Sequence, residues 1–198
     1  MCEYIAELHG LSLSFKDKII FSDFSAKIRR GCITGISGDS GRGKTTLLRI
    51  LAGLQKPDRG EVVFSYNKQG YVFQDYRLLP WMSVMDNIIL PVKNEVSEKE
   101  ASARALKYLD VMCLSGCENL LPGELSGGMA QRVSLVRAMT YQPEIIFMDE
   151  PFSALDHEMQ SRASEAVKDY AYEHGISIVF VSHNLDNLRH MSEDIIEL

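Results

Sequence analysis

A glycine-rich octapeptide near the N-terminus, Gly38-Asp39-Ser40-Gly41-Arg42-Gly43-Lys44-Thr45, has the composition of a phosphate-binding loop. Glycines let the backbone curl so that successive N–H groups point at phosphate oxygens. Lys44 adds a positive charge for the β- and γ-phosphates, and the Thr45 hydroxyl is a ligand that Mg²⁺ accepts. A short apolar strand precedes the segment and a helix follows it. This context favours a nucleotide site over a chance glycine-rich turn.

Two acidic residues follow an apolar segment later in the chain. Asp149 and Glu150 come directly after the four residues 145–148, which are all apolar. Such a run is typical of a strand covered on both faces, and the carboxyl ends of these strands gather beside a phosphate loop. We expect Asp149 to hold Mg²⁺ and Glu150 to polarise a water that attacks the terminal phosphate.

A second glycine pair begins another helix, at Leu125-Ser126-Gly127-Gly128-Met129. A serine before glycines is an ordinary helix N-cap, and taken alone it would indicate nothing more. A helix start with exposed backbone N–H groups is also an anion-binding site. Ser126, Gly127 and Gly128 are therefore candidates for contact with a second phosphate group.

Strands and helices alternate around these motifs. Strand patterns cover residues 5–8, 11–15, 19–21 and 33–36, and residues 62–64 and 70–73 have the pattern of a small strand pair. Helix patterns cover residues 44–52 and 126–141, and two more helices begin at the N-caps Ser97 and Asp156. The alternation at both ends predicts an α/β protein with a largely parallel core sheet, interrupted by a helical insertion.

Composition excludes several classes of protein. The 198 residues carry a formal net charge of −6, which disfavours nucleic acid as the main partner. No segment approaches the roughly 18–20 consecutive apolar residues that span a bilayer. The N-terminus lacks the basic and apolar regions of a signal peptide. Cys2, Cys32, Cys113 and Cys117 form no zinc-type pair of CxxC motifs and are predicted to be reduced thiols.

Taken together, the motifs resemble those of the nucleotide-binding subunit of ATP-binding cassette (ABC) transporters. The sequence LSGG at 125–128 is specific to that superfamily, and the Walker A loop, LSGG and Walker B strand follow its order. Further matches are Gln74 with the Q-loop glutamine, residues 153–156 with the D-loop, His183 with the switch histidine, and Phe15 with the aromatic residue that stacks on adenine. Residues 73–81 with Asp86-Asn87 are similar to the branch of nitrate, sulfonate and taurine importers.

The resemblance implies a fold and a division of the chain. The fold would be that of an α/β P-loop NTPase, with a RecA-like parallel core sheet, an N-terminal antiparallel β subdomain and an inserted α-helical subdomain. A single ABC ATPase domain would span residues 1–198. Residues 1–74 and 142–198 would form the catalytic α/β core with the β subdomain. Residues 75–141 would form the helical subdomain that ends in the signature helix.

The resemblance also implies ATP and Mg²⁺ as cofactors and ATP hydrolysis as the reaction. The catalytic residues would be Glu150, His183, Gln74 and Lys44. The metal contacts would be Thr45, Gln74 and Asp149. The nucleotide contacts would be Phe15, Gly38, Asp39, Ser40, Gly41, Arg42, Gly43, Lys44, Thr45, Thr46, Ser126, Gly127, Gly128 and Asp156.

The implied partners follow the working mode of such proteins. Each ATP would lie between the phosphate loop of one subunit and the signature helix of another, in a homodimer or a paired cassette. Transmembrane permease subunits and an external substrate-binding protein would complete an importer of a small solute, with this chain peripheral at the cytoplasmic face of the membrane. The alternatives are an exporter or lipoprotein-releasing ATPase subunit, and a non-transport ABC ATPase acting in DNA repair or on ribosomes.

Some positions depart from the family pattern. Phe15 replaces the commoner tyrosine, so stacking on adenine would survive without a hydroxyl contact. Asn184 follows the switch histidine where aspartate is usual. The short segment 60–74 suggests a trimmed antiparallel hairpin. The segment 78–81, Leu-Leu-Pro-Trp, would either line a groove for the permease or pack in the core.

Overall fold

Eight strands and six helices occur in residues 3–16 and 18–198, the part of the chain that the computed structural model describes. The strands are β1 (Tyr4–Phe15), β2 (Lys18–Arg29), β3 (Ile33–Ser37), β4 (Arg59–Phe64), β5 (Gln69–Val72), β6 (Ile145–Asp149), β7 (Ser177–Val181) and β8 (Asp194–Glu197). The helices are α1 (Lys44–Leu51), α2 (Val84–Ile89), α3 (Glu98–Val111), α4 (Gly127–Tyr141), α5 (His157–His174) and α6 (Leu185–Met191), with 3₁₀ turns at Leu90–Val92 and Pro122–Glu124.

The sequence predicted reduced cysteines and no membrane-spanning segment. Cys32, Cys113 and Cys117 are free thiols, and Cys2 lies outside the described residues. Among the described helices, none combines the length and the apolar character needed to cross a bilayer.

Five strands form a parallel sheet in the order β5-β6-β7-β3-β8. Strands β3, β6 and β7 are almost wholly buried, as expected for strands covered on both faces. Their register sets Ile36 opposite Val181, and Val181 opposite Asp149. The carboxyl ends of the three strands therefore meet at one edge of the sheet.

Three strands form a separate antiparallel sheet in the order β2-β1-β4. The sequence pattern predicted two short strands, 5–8 and 11–15, where the structure has the continuous 12-residue strand β1. Gly10 lies within the strand and has a positive φ of 57°. The pairing of β1 with both of its neighbours is irregular around this residue. Bulges of this kind let a long strand bend without ending. The predicted antiparallel β subdomain is thus confirmed, with longer strands.

Residues 60–74 do not form the antiparallel hairpin that the sequence suggested. Strand β4 pairs with β1 in the antiparallel sheet, whereas β5 pairs with β6 in the parallel sheet. The prediction is wrong because short strands take their partners from the surrounding sheets and not from their neighbours in sequence. A Cβ on Gly60 would lie 2.5 Å from the carbonyl oxygens of His9 and Gly10. Glycine at this position therefore permits the close approach of β4 to β1.

The parallel sheet separates two hydrophobic clusters. Helices α2–α6 cover one face, to which the central strands contribute Ile146, Met148, Ile178 and Phe180. Helix α1 and the antiparallel sheet cover the other face, to which the same strands contribute Ile145, Phe147, Val179 and Val181. Alternate residues of a strand point to opposite faces, so one run of apolar residues serves both clusters.

Serine caps begin the two long helices between β5 and β6. The Oγ atom of Ser97 accepts a hydrogen bond from the backbone N–H of Glu100 at 3.3 Å, and α3 follows. The Oγ atom of Ser126 accepts from the N–H of Met129 at 3.2 Å, and α4 follows. Both helices therefore begin where the sequence predicted, because the cap satisfies an N–H that the first turn leaves free.

Gly35 lets α6 pack closely on β3, the strand that leads into the phosphate loop. A Cβ at this position would lie 2.5 Å from Oγ of Ser192 and 2.8 Å from the side chain of Leu188. We expect Gly35→Ala to lower the free energy of unfolding by about 1–3 kcal/mol, because the helix or strand must shift. Urea denaturation measures the effect. The control Gly123→Ala adds a Cβ that would meet nothing within 4 Å, and an equal loss there would contradict the packing explanation.

Candidate active site

The loop between β3 and α1 carries three glycines with positive φ. Gly38 (φ 147°), Gly41 (φ 76°) and Gly43 (φ 100°) adopt backbone conformations that strain an L side chain. A Cβ on Gly43 would also lie 2.4 Å from Cγ2 of Ile20. Gly43 is the N-cap of α1 and offers no side-chain acceptor to the N–H groups of the first turn. These donors are available to an anion, as at other phosphate-binding helix starts.

The ammonium group of Lys44 lies against this loop. Its Nζ donates to the carbonyl oxygens of Gly38 at 2.7 Å and of Asp39 at 3.0 Å, and the side chain is buried. In the described part of the chain, no carboxylate forms a salt bridge with it. Because only neutral carbonyls bind this cation, its charge remains available to a polyanion in the loop.

A hydroxyl and a carboxylate meet where α1 begins and β6 ends. The Oγ1 atom of Thr45 donates to Oδ1 of Asp149 at 2.9 Å, and Asp149 is buried. Oxygen ligands of this kind suit Mg²⁺, which nucleotide sites hold through one or two protein ligands together with the phosphates. The donor set therefore fits the predicted metal.

Glu150 has a strained backbone and a carboxyl oxygen without a hydrogen bond. Its φ is 50°, its N–H donates to the carbonyl of Val181, and its Oε2 accepts from the backbone N–H of His183 at 3.2 Å. Oε1 is buried and accepts no hydrogen bond, although Nε2 of His183 lies 3.3 Å away. Burial raises the pKa of the Glu150 carboxyl, against the lowering effect of the His183 N–H. Such a desolvated oxygen can accept a proton from water.

A cavity of about 310 Å³ connects these groups. Of the residues predicted from sequence, it is lined by Phe15, Ser40, Gly41, Gly43, Lys44, Thr45, Thr46, Gln74, Glu150 and His183. Ile20 and Val181 also line it. Phe15 is 49% exposed at one end, where its ring offers an apolar face for a base. Gly38, Asp39 and Arg42 belong to the glycine-rich loop that borders the cavity. Asp149 is hydrogen-bonded to Thr45, which lines the cavity.

The second glycine pair lies elsewhere. Ser126 and Gly127 are exposed and do not line this cavity, and a Cβ on Gly127 would meet no atom within 4 Å. A Cβ on Gly128 would lie 3.1 Å from the carbonyl oxygen of Ala154, so this helix start adjoins the segment after Glu150. Asp156, also outside the cavity, caps α5 by accepting from the N–H of Met159 at 2.9 Å.

Asn184 has a structural use. Its Oδ1 accepts from the N–H of Asn187 at 3.1 Å and caps α6. Asparagine caps a helix about as well as aspartate, so the exchange preserves the helix start while removing a charge beside His183.

Lys18 is a basic residue beside the loop that no sequence motif indicates. It begins β2, and its Nζ donates to the carbonyl oxygen of Gly41 at 3.0 Å. The hairpin that carries Phe15 therefore also brings a second ammonium group to the phosphate loop. The available signal was a lysine three positions after the aromatic residue, which is too common a pattern to single out.

Comparison with known proteins identifies the family. The family model described as ABC transporter matches residues 21–153, about two thirds of the chain. The chain belongs to the ABC transporter family. It therefore contains an ABC ATPase domain, and the fold is that of a P-loop NTPase.

Two curated relatives and one solved structure illustrate the match. The aliphatic sulfonates import ATP-binding protein SsuB 1 of Nocardia farcinica is 37% identical, over 96% of this chain and 76% of that protein. The spermidine/putrescine import ATP-binding protein PotA of Oleidesulfovibrio alaskensis is 34% identical, over 98% and 55%. A dimeric ATP-binding cassette in a post-hydrolysis state, bound to ADP and Pi, superposes with a TM-score of 0.88 at 31% identity, over 98% and 94%.

Removing the second ammonium group should weaken nucleotide binding by this ABC domain. We expect Lys18→Met to raise the Kd for ATP about tenfold, because the loop loses a nearby positive charge and the charge-assisted hydrogen bond to Gly41 that orders it, which contributes roughly 1.5 kcal/mol. Isothermal titration calorimetry measures the change. The matched control is Lys16→Met, which removes the same charge from an exposed lysine of the same hairpin. An equal rise in both variants would mean that net charge, and not contact by Lys18, sets the affinity.

Proposed function

We propose that this chain is the ATP-binding and ATP-hydrolysing subunit of an ABC importer, which energises uptake of a small solute through separate permease subunits. The buried Oε1 of Glu150, free of hydrogen bonds beside the cavity with Lys44, supports the hydrolytic role. The oxygen of a water attacks the γ-phosphorus while its proton passes to Glu150. The bond between the γ-phosphorus and the bridging oxygen breaks, and ADP leaves with the bonding electrons.

The remaining residues of the cavity bind different parts of the nucleotide. Residues 38–46 surround the phosphates with backbone N–H groups, and Lys44 neutralises charge on the β- and γ-phosphates. His183 contacts the γ-phosphate from the end of β7, and Gln74 contacts the metal and the attacking water. The ring of Phe15 stacks on adenine.

Mg²⁺ is the proposed metal partner of ATP. Thr45 and Asp149 are its proposed protein contacts, directly or through water, and Gln74 lines the same cavity. When bound, the ion neutralises charge on the β- and γ-phosphates. The hydroxyl of Thr45 donates its proton to Asp149, so the lone pairs of its oxygen would remain available to the ion.

A dimer in the ATP-bound state is the proposed form that completes the site. Ser126, Gly127 and Gly128 do not line the cavity of their own chain, so they suit the nucleotide of a second copy or a paired cassette. Two opposed helix N-termini would then clamp one polyanion. The dimeric cassette solved with ADP and Pi is a precedent in the family. Asp156 reaches this interface as part of the segment that adjoins Gly128.

The helical subdomain is the proposed contact with the permease. We assign residues 1–74 and 142–198 to the catalytic core with the β subdomain, and residues 75–141 to the helical subdomain. Trp81 is 73% exposed and suits a docking surface, whereas Leu78 is buried in the core cluster and does not. The permease would hold the chain at the cytoplasmic face of the membrane, opposite an external substrate-binding protein.

The proposed solute is of the nitrate, sulfonate or taurine type. The sulfonate relative supports this class, and the spermidine/putrescine relative at a similar identity is the competitor. The test reconstitutes the chain in vesicles with the permease and binding protein encoded beside its gene, and measures ATPase activity and the direction of transport with each solute. We expect stimulation by a sulfonate or nitrate and none by spermidine. Stimulation by spermidine alone would contradict the solute class, and outward transport would contradict import.

Replacing the proposed base should separate binding from hydrolysis. We expect Glu150→Gln to lower the ATPase rate at least about 100-fold, because the amide cannot accept a proton from water. The Kd for ATP should stay within about threefold, and an ATP-bound dimer should accumulate in light scattering. Glu61→Gln, an exposed glutamate on β4, is the charge-matched control. An unchanged rate in Glu150→Gln would remove Glu150 from the catalytic role.

A further inference from the structure

The loop that carries Gln74 is bound to α4 on both sides. Before Gln74, the carbonyl oxygen of Phe73 accepts a hydrogen bond from Nε2 of Gln131 at 3.4 Å. After Gln74, the carbonyl oxygens of Tyr76 and Arg77 accept from Arg137. These contacts reach across 58 to 61 positions of sequence and join the loop to the helix that the LSGG sequence begins. The position of Gln74 therefore depends on α4.

Arg137 makes the stronger of the two attachments. Its NH1 donates to the carbonyl of Arg77 and its NH2 to the carbonyl of Tyr76, both at 3.0 Å. No salt bridge to Arg137 occurs among the described residues, and burial lowers the pKa of its guanidinium. A largely desolvated cation with two main-chain acceptors holds them firmly, because it has no other partner there. The planar fork of arginine reaches two consecutive carbonyls at once, which the single nitrogen of lysine cannot do.

The loop around Gln74 is also held by a contact between two of its own side chains. The guanidinium of Arg77 lies 3.9 Å from the centre of the Phe73 ring, and Arg77 has a positive φ of 44°. Gln131 is 1% exposed, so its amide has little freedom to leave the Phe73 carbonyl. Gln74 itself remains exposed and lines the nucleotide cavity between these anchors. The anchors fix the backbone on each side and leave the amide of Gln74 free for ligands.

We propose that Arg137 is a positioning residue that sets the reach of Gln74 into the nucleotide site by tying its loop to α4. The inference rests on the proposed function, because it assigns Gln74 a role in hydrolysis. Helix α4 begins at Ser126, which serves a second copy, and carries Arg137, which holds the loop of its own site.

A double-mutant cycle tests whether Arg137 acts through Gln74. Arg137→Met should lower kcat about tenfold when Gln74 is present, because the loop is no longer oriented. In the Gln74→Ala background, the same substitution should lower kcat by less than about twofold, because nothing remains to position. The Kd for ATP should stay within about threefold in all four proteins. Equal effects of Arg137→Met in both backgrounds would overturn the proposal.

The control is Arg104→Met, which removes an arginine paired with Glu100 on the surface of α3. Such a pair contributes little stability, so kcat should be unchanged. Arg137→Lys keeps the charge but loses the fork, so its kcat should lie between wild type and Arg137→Met. It also serves as the test variant if Arg137→Met fails to fold.

Hydrogen–deuterium exchange separates this inference from the proposed function. In Arg137→Met or Arg137→Lys without nucleotide, amides of residues 74–79 should exchange at least about threefold faster, while the buried strand β7 serves as an unchanged reference. Unchanged exchange in the loop would overturn the clamp. A wild-type protein without ATPase activity would contradict the proposed function, and the exchange result would still decide whether Arg137 holds the loop.

Discussion

The parallel register of β3, β7 and β6 is the constraint on which the site depends. It aligns Ile36, Val181 and Asp149 across three strands, so that the glycine-rich loop, His183 and the two acids follow the sheet at the same level. A shift of one residue in any of these strands would turn its side chains to the opposite face and bury the wrong groups. The apolar residues that fill both clusters hold this register, and the chemistry at the edge depends on them.

Two ionisable groups at this edge lack a full set of partners. Lys44 has only carbonyl partners, and one oxygen of Glu150 has no hydrogen bond at all. The unpaired Glu150 oxygen costs folding free energy of the order of 1–3 kcal/mol, as other unpaired buried polar atoms do. Functional sites are where proteins tolerate that cost, since a substrate that brings the missing partners is then bound strongly. The strained φ of Glu150 belongs to the same pattern.

Motif spacing predicted the family, the α/β class and the residues around the phosphate loop. It could do so because glycine positions, a lysine–threonine pair and an acidic strand end are local in sequence. The hairpin at 60–74 was wrong, because strand pairing is decided by distant partners such as β1 and β6. Lys18 and Arg137 escaped notice for a related reason. Both act on main-chain carbonyls, and any residue type supplies a carbonyl, so the acceptor leaves no pattern in the sequence.

Trp81 is the only tryptophan of the sequence, and it is 73% exposed on the segment beyond Gln74. An indole in water and an indole covered by protein emit at different wavelengths. The fluorescence of Trp81 therefore reports whether this one surface is covered. Anything that covers the segment changes that emission without a label or a substitution. Because this is the one indole of the sequence, any energy transferred from excited tyrosines to tryptophan reaches a single emitter.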